Sequence, residues 1–239
     1  IYENGSGNKF IRSYNGEDDK IRLGSGAIIS DVQTKNDDLI LTVGENNITI
    51  AGGAGESFTF IEDDAEKTFT ADGLLVKGNS ASLTSAFSGN EVDMSKYSYT
   101  SVNAGLVKRA FNFVGDSDTK ELIGGKGNDN LTASSGGSSL WGGKGNDSLI
   151  GGVGNDTFIF RAGDGSDTIF NYSDGDLLTI LDKRGNDIKG DGYSKAVFSG
   201  DTLTLSVKGG GKIILAGVDK DTEFNINGTP HQISGKKLI

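Results

Sequence analysis

The 239-residue chain has no cysteine, one proline, one histidine, one tryptophan and no run of 18 apolar residues. Without cysteine there is no disulfide framework, thiol redox pair or thiolate metal site. Without a long apolar run there is no membrane-spanning helical segment. With one proline, collagen and Pro/Gly linkers are excluded, although the 38 glycines are more than twice the usual share of about 7%. Those glycines must serve ordered turns. Basic clusters are also missing: 33 Asp and Glu against 23 Lys and Arg give a net charge of −10. That balance argues against nucleic acid and anionic membranes and leaves cations as the charged partners. The length suffices for one large or two small domains. A start at Ile1-Tyr2-Glu3-Asn4, without a signal-peptide pattern, gives the expectation of a segment from something longer.

What the chain does have is concentrated. Residues 124–176 hold 14 of the glycines and seven aspartates, with only Lys126, Lys144 and Arg161 as bases. In steps of nine the stretch reads Gly124-Gly125-Lys126-Gly127-Asn128-Asp129-Asn130-Leu131-Thr132, then a degenerate Ala133 to Trp141. Gly142-Gly143-Lys144-Gly145-Asn146-Asp147-Ser148-Leu149-Ile150 and Gly151-Gly152-Val153-Gly154-Asn155-Asp156-Thr157-Phe158-Ile159 follow. After a two-residue insertion at Phe160-Arg161 the pattern fades through Ala162 to Phe170. Position eight is always apolar: Leu131, Leu140, Leu149, Phe158, Ile169.

A longer repeat lies beneath. Residues 1–14 match Ile159 to Tyr172 at an offset of 158, Asp37 to Val43 resembles Asp201 to Val207, and Ile48 to Gly52 resembles Ile213 to Gly217. The flanks alternate apolar and polar residues between glycine turns, which predicts antiparallel strands. Val102 to Ala104 and Phe111 to Val114 read as strands feeding the repeats, and one short helix is expected near Ala81 to Phe87.

The nonapeptide has a clear chemistry. Glycines at positions one, two and four permit tight turns with inward carbonyls. Asn and Asp follow with side-chain oxygens, and the last three residues form a short strand with its middle residue buried. Two such units make one 18-residue coil, so Asp129 and Asp147 stack. A line of like charges that close is unfavourable unless a cation lies between them. All available ligands are oxygens, which selects Ca²⁺ over Mg²⁺ or Zn²⁺.

These residues resemble the RTX (repeats-in-toxin, or hemolysin-type) nonapeptide, over about 50 residues of the chain. The resemblance implies an all-β fold: a parallel β-roll (β-solenoid) with calcium-binding turns, flanked by antiparallel β-strand regions. In the family an ion takes carbonyls at positions two and four and the Asp at six from one turn. Carbonyls at one and three and the Asp at six come from the turn two repeats on. Carried over, one site uses Gly125, Gly127 and Asp129 with Gly142, Lys144 and Asp147. A second uses Gly143, Gly145 and Asp147 with Ala162, Asp164 and Asp167, and a third uses Gly152, Gly154 and Asp156 with Asn171, Ser173 and Asp176. The third has lost its glycines in Asn171 to Asp176. Ser138 stands where the degenerate repeat should carry Asp, and Lys120 occupies that place one coil earlier. That edge is therefore expected to be metal-free above Asp156, with Lys120 replacing an ion by its own charge. Ser6 and Lys9 replace the acids in the N-terminal copy, which is expected to keep the shape without the ion.

Competing readings are weaker. Asn-Asp pairs are ordinary turn formers, but the threefold nonapeptide is not explained by that. His231 follows Pro230 in a polar segment without a Gly-x-Ser-x-Gly partner, so a surface turn is expected and no Ser-His-Asp chemistry. The aspartates are committed to turns, which leaves no patterned carboxylate pair for glycoside hydrolysis, and Asn-x-Ser/Thr triplets arise from the repeat itself. Position-nine residues Thr132, Trp141, Ile150, Ile159 and Phe170 should point outward, covered by a flanking strand or by the N-terminal copy rather than by a ligand.

The expected organisation is a degenerate repeat tail with its flank at 1–75, a connecting segment at 76–122, the roll at 123–180 and a C-terminal β cap at 181–239. The expected function is a non-catalytic, calcium-binding (two to three ions) structural module of a large bacterial protein, secreted or at the cell surface. The resemblance implies type I secretion and folding in extracellular calcium. The alternative is an adhesin segment that binds a cell-surface glycan or protein, with calcium only stiffening it. An RTX-type protease, lipase or epimerase activity would need a catalytic domain elsewhere.

Overall fold

The computed structural model describes residues 7–239 except 13, 15–18, 55, 63–64, 71–72, 88–90, 94–98 and 106. The chain divides into two compact units, Ile1–Gly89 and Asn90–Ile239. Both are all-β, with no helix among the described residues.

In the second unit two stacks of short parallel strands face each other. One contains Glu91–Asp93, Asn112–Val114, Asn130–Thr132, Ser148–Ile150 and Ser166–Phe170 in hydrogen-bonded order. The other contains Ser101–Asn103, Glu121–Ile123, Ser139–Trp141, Thr157–Arg161 and Leu177–Leu181. The chain alternates between them, so every strand pairs in parallel with the one two places on: a parallel β-roll. Three-residue strands suffice because only the middle residue must reach the interior. Position eight supplies it, in ladders Leu122, Leu140, Phe158, Leu178 on one side and Phe113, Leu131, Leu149, Ile169 on the other. None of these is more than 1% exposed. Each buried side chain contributes roughly 2 kcal/mol of apolar burial.

The roll ends on antiparallel strands. Tyr193–Ser199, Thr202–Val207 and Lys212–Ala216 form a meander whose last strand joins Ser166–Phe170 in parallel, and Phe224–Ile226 follows Leu177–Leu181 before turning back as Thr229–His231. The first unit repeats this plan. Ile29–Lys35, Asp38–Val43 and Asn46–Ile50 form the same meander, and Lys9–Ile11 pairs in parallel with its last strand. Both meanders carry an irregularity at the same place, Ile29/Asp31 and Tyr193/Lys195. Such a shared defect marks a duplicated element. The unit's own core runs from Ile21 to Phe69. Of the N-terminal match, residues 1–6, Ser6 among them, lie outside the described residues, and Lys9 is exposed.

Two expectations are corrected here. The segment expected to be helical contains the strand Ser80–Leu83, paired with Leu74–Lys77 through a turn with Gly78 at φ 56°. Ala81 and Leu83 are buried and Ser80 and Ser82 are not, so period two wins over helical spacing. His231 is not in a surface turn: it ends the strand Thr229–His231, is 8% exposed and lies 3.4 Å from Asp191. Pairing with Phe224 carries it inward.

Phe158 is fully buried between Leu140 and Leu178 and against the Tyr172 ring, so Phe158→Ala should cost about 3–5 kcal/mol. Ile159→Ala, one residue on and half-buried, should cost far less. Urea midpoints of the two variants check this.

Candidate metal centre

The turns that close each coil are built around the position-six carboxylates. In each, one oxygen accepts the N–H of the residue one coil earlier: Phe111 to Asp129 Oδ1 (2.7 Å), Asp129 to Asp147 Oδ1 (2.8 Å), Asp147 to Asp167 Oδ1 (3.1 Å). On the opposite edge Ser138 donates to Asp156 Oδ1 and Asp156 to Asp176 Oδ1. Position five adds an amide ladder, with Asn128 Oδ1 accepting from Asn146 N–H and Asn146 Oδ1 from Ser166 N–H.

The second carboxylate oxygen folds back beneath its own turn. Asp129 Oδ2 accepts from Gly125 N–H (2.6 Å), Asp156 Oδ2 from Gly152 N–H (2.7 Å), and Asp176 Oδ2 from the N–H and hydroxyl of Ser173. Asp147 Oδ2 and Asp167 Oδ2 have no hydrogen-bond partner, although both atoms are buried. A Cβ on Gly142 would collide with Asp147 Oδ2, which explains glycine at position one. At position four, Gly145 (φ 133°) and Gly165 (φ 138°) adopt a conformation that disfavours side chains and lie directly over the carbonyls of Gly127 and Gly145.

The predicted residues are thus brought together in stacked turns. In the first set Gly125 O accepts from Lys144 N–H, with Gly127, Asp129, Gly142 and Asp147 placed as above. In the second, Gly145 N–H donates to Asp164 O, Gly143 stands over Gly125 O, and Ala162 is buried. In the third, Asn171 takes φ 56°, doing a glycine's work, and its Nδ2 donates to Gly151 O. Gly152 and Gly154 pack against Ser134 and Gly137 backbone, and Ser173 faces Asp176. Among the described residues no three Asp, Glu or His side chains converge, so any cation here must rely on backbone carbonyls as well. The orphaned oxygens of Asp147 and Asp167, in turns with no room for a Cβ, fit such a cation.

Electrostatics single out the same pair. Burial, with Asp129 and Asp164 close by, pushes the Asp147 carboxyl up to about 7. Burial, with Asp147 next, pushes Asp167 up to about 8. Burial also raises Asp129 and Asp176.

Lys120 does not occupy an ion position. It is exposed, and its coil is closed by Asp116 and Thr119, which exchange hydrogen bonds. Glu121 pairs with Ser139 as Ser139 pairs with Thr157, so Lys120 has the backbone place of Ser138 and Asp156, but the fully buried Thr119 fills the interior of this turn instead. Above Asp156 the edge is held by hydroxyls: Ser138 Oγ accepts from Ser134 N–H and donates to Thr119 O (3.0 Å). Sequence reasoning missed the anchoring of Asp164, whose Oδ2 accepts from Trp141 Nε1 (2.9 Å) and Arg161 N–H (2.9 Å), with Lys144 Nζ 3.3 Å from Oδ1. An Arg inside the two-residue insertion, with the chain's one Trp at position nine a coil earlier, was the available signal.

Residues 123–158 match the family model of the RTX calcium-binding nonapeptide repeat in four copies. No curated protein matches the chain. Among solved structures it is similar to the extracellular lipase LipA from Serratia marcescens, at 20% identity and a TM-score of 0.42. That match covers 90% of this chain and 33% of the lipase, so the chain spans about a third of that protein's length.

The raised carboxyls fix a sign. Asp147 and Asp167 hold protons more tightly in the fold than in the unfolded chain. Their contribution without metal is therefore full below about pH 4 and lost as pH rises to about 7–8. In EDTA, strand circular dichroism should be stronger and urea midpoints higher at pH 5 than at pH 8. Asp147→Asn/Asp167→Asn should flatten that slope.

Proposed function

We infer that this chain is a non-catalytic structural module whose repeats order around calcium, in a large bacterial protein secreted or held at the cell surface. The observation that carries the reading is a pair of buried, unpartnered oxygens: Asp147 Oδ2, within the matched RTX calcium-binding repeats, and Asp167 Oδ2, in the turn stacked on it. Calcium, when bound, supplies the positive charge that two desolvated carboxylates lack. The residues that would hold it in the foremost site are Asp147 and Asp167 with carbonyls of Gly143, Gly145, Ala162 and Asp164. Asp129 with Asp147, and the carbonyls of Gly125, Gly127, Gly142 and Lys144, would hold a second ion. Asp156 and Asp176, with Gly152, Gly154, Asn171 and Ser173, make the weakest case for a third, because each of these carboxylates already has N–H donors on both oxygens.

Order in the repeats would then track calcium at the about 10⁻⁴–10⁻³ M affinities of extracellular modules. Below that range, glycine entropy and carboxylate repulsion keep the turns open. Binding energy becomes folding energy. Export through the envelope unfolded, followed by folding outside, is consistent with that dependence and with the absence of cysteine. An adhesin role has one observation in its favour. Val114 and Phe170, 42% and 40% exposed, lie on one outer face in register with Thr132 and Ile150. Glycan or protein binding that survives Asp147→Ala would select it.

Calcium titration followed by circular dichroism tests the main reading. Strand signal should rise cooperatively with calcium and not with magnesium. Asp147→Asn and Asp167→Asn should each raise the midpoint about ten-fold or more while stabilising the chelated protein, and Asp176→Asn should have a smaller effect. Strand signal unchanged by chelation would sink the proposal.

A further inference from the structure

Beside the turns, on the outer face of the second unit, is a groove of about 290 Å³ whose charge is opposite to that of the chain. Lys126, Lys144, Arg161 and Lys183 line it with a single acid, Asp164, in a protein of net charge −10. The floor carries Ile123 and Trp141. Asp164 is spent internally on Trp141, the Arg161 backbone and Lys144. The nearby Asp182 is spent on the Arg184 and Asn186 backbone.

Arg161 is the anomaly. Its guanidinium stacks on the Trp141 ring, 3.7 Å from the centroid, and the Gly185 backbone also lies against it. Yet no carboxylate or carbonyl accepts from it among the described residues, and its Nε is buried without a partner. A half-buried arginine fork held rigid by stacking, with its donors unused, is costly unless an acceptor arrives. The side chains of Lys126 and Lys183 are likewise unpaired among the described residues. Trp141 is pinned by its own N–H bond to Asp164, so the platform is set before any ligand binds.

We propose that this groove is a receptor for a small organic oxyanion, a carboxylate or sulfate ester on a sugar-sized body. Arg161 grips the oxyanion, Lys126 and Lys183 flank it, and the body rests on Ile123 and the exposed edge of Trp141. The volume is at the small end of ligand pockets and admits one or two rings. The groove shares Gly125, Gly143, Lys144 and Asp164 with the proposed ion positions, but the cations that make it, Lys126, Arg161 and Lys183, belong to no ion site.

Trp141 is the only tryptophan, so its emission reports directly on the groove. The whole chain in calcium is titrated with glucuronate, sodium sulfate and glucose. Glucuronate should give a saturable change that weakens with added NaCl, and glucose should give none. Sulfate acting as well as glucuronate would overturn the sugar-sized body as part of the ligand. Arg161→Gln should weaken binding about ten-fold or more, and Lys126→Gln and Lys183→Gln about two- to five-fold each. Circular dichroism in calcium shows whether each variant is folded, and the two lysine variants, which stack on nothing, keep the test open should Arg161→Gln unfold. The proposal is overturned if glucose acts like glucuronate, if neither anion gives a saturable signal, or if folded variants bind as the parent does.

Discussion

The hydrogen bond from one coil's position-six amide to the next coil's carboxylate governs the architecture. It repeats through Asp129, Asp147 and Asp167 and again through Asp156 and Asp176. With one oxygen tied to the neighbouring coil, the other is forced under its own turn, against Gly124 and Gly142, where a Cβ would collide with it. The short strands, the one-residue-deep core and the glycine spacing follow from closing a coil around that bond. So does the electrostatic difficulty, because stacking the amides stacks the charges.

The two edges resolve that difficulty differently. Ser134 and Ser138 with Thr119 O close a turn with neutral hydroxyls and leave nothing to compensate. Asp156 and Asp176 remain charged but have N–H donors on both oxygens. Among the described carboxylates, only at Asp147 and Asp167 does burial outrun the supply of donors. The demand for a cation is therefore local. The two-residue insertion falls in that same interval, and the Trp141, Arg161 and Asp164 cluster fixes the longer turn it creates.

Much of this was legible in the sequence because a nonapeptide with one acid and one inward apolar residue leaves the phase no freedom. Leu131, Leu140, Leu149 and Phe158 could be placed by counting, and the likeness of Asp37 to Val43 with Asp201 to Val207, and of Ile48 to Gly52 with Ile213 to Gly217, foretold a second set of flanking strands. What was not legible depends on partners far along the chain. Ser80–Leu83 is a strand because Leu74–Lys77 pairs with it, not because of its own weak propensity. Lys120 stays exposed because Thr119, bonded to Asp116, fills the interior of its turn, and His231 is buried because its strand returns onto Phe224. Counting placed both orphaned oxygens in predicted turns. It did not show that the neighbouring aspartates would find donors and these two would not.

The alternation of strands between two sheets also gives the roll a parity. Nine residues move the chain from one edge to the other, and eighteen return it. Removing any single unit, even the degenerate Ala133 to Trp141, would carry each later residue to the opposite edge, aligning Asp129 with Asp156 and splitting Asp147 from both. Evolution can therefore lengthen or trim such a roll only in pairs of repeats if its edges are to keep distinct chemistries. The degenerate unit, poor as its sequence is, holds its place as a spacer of the correct parity.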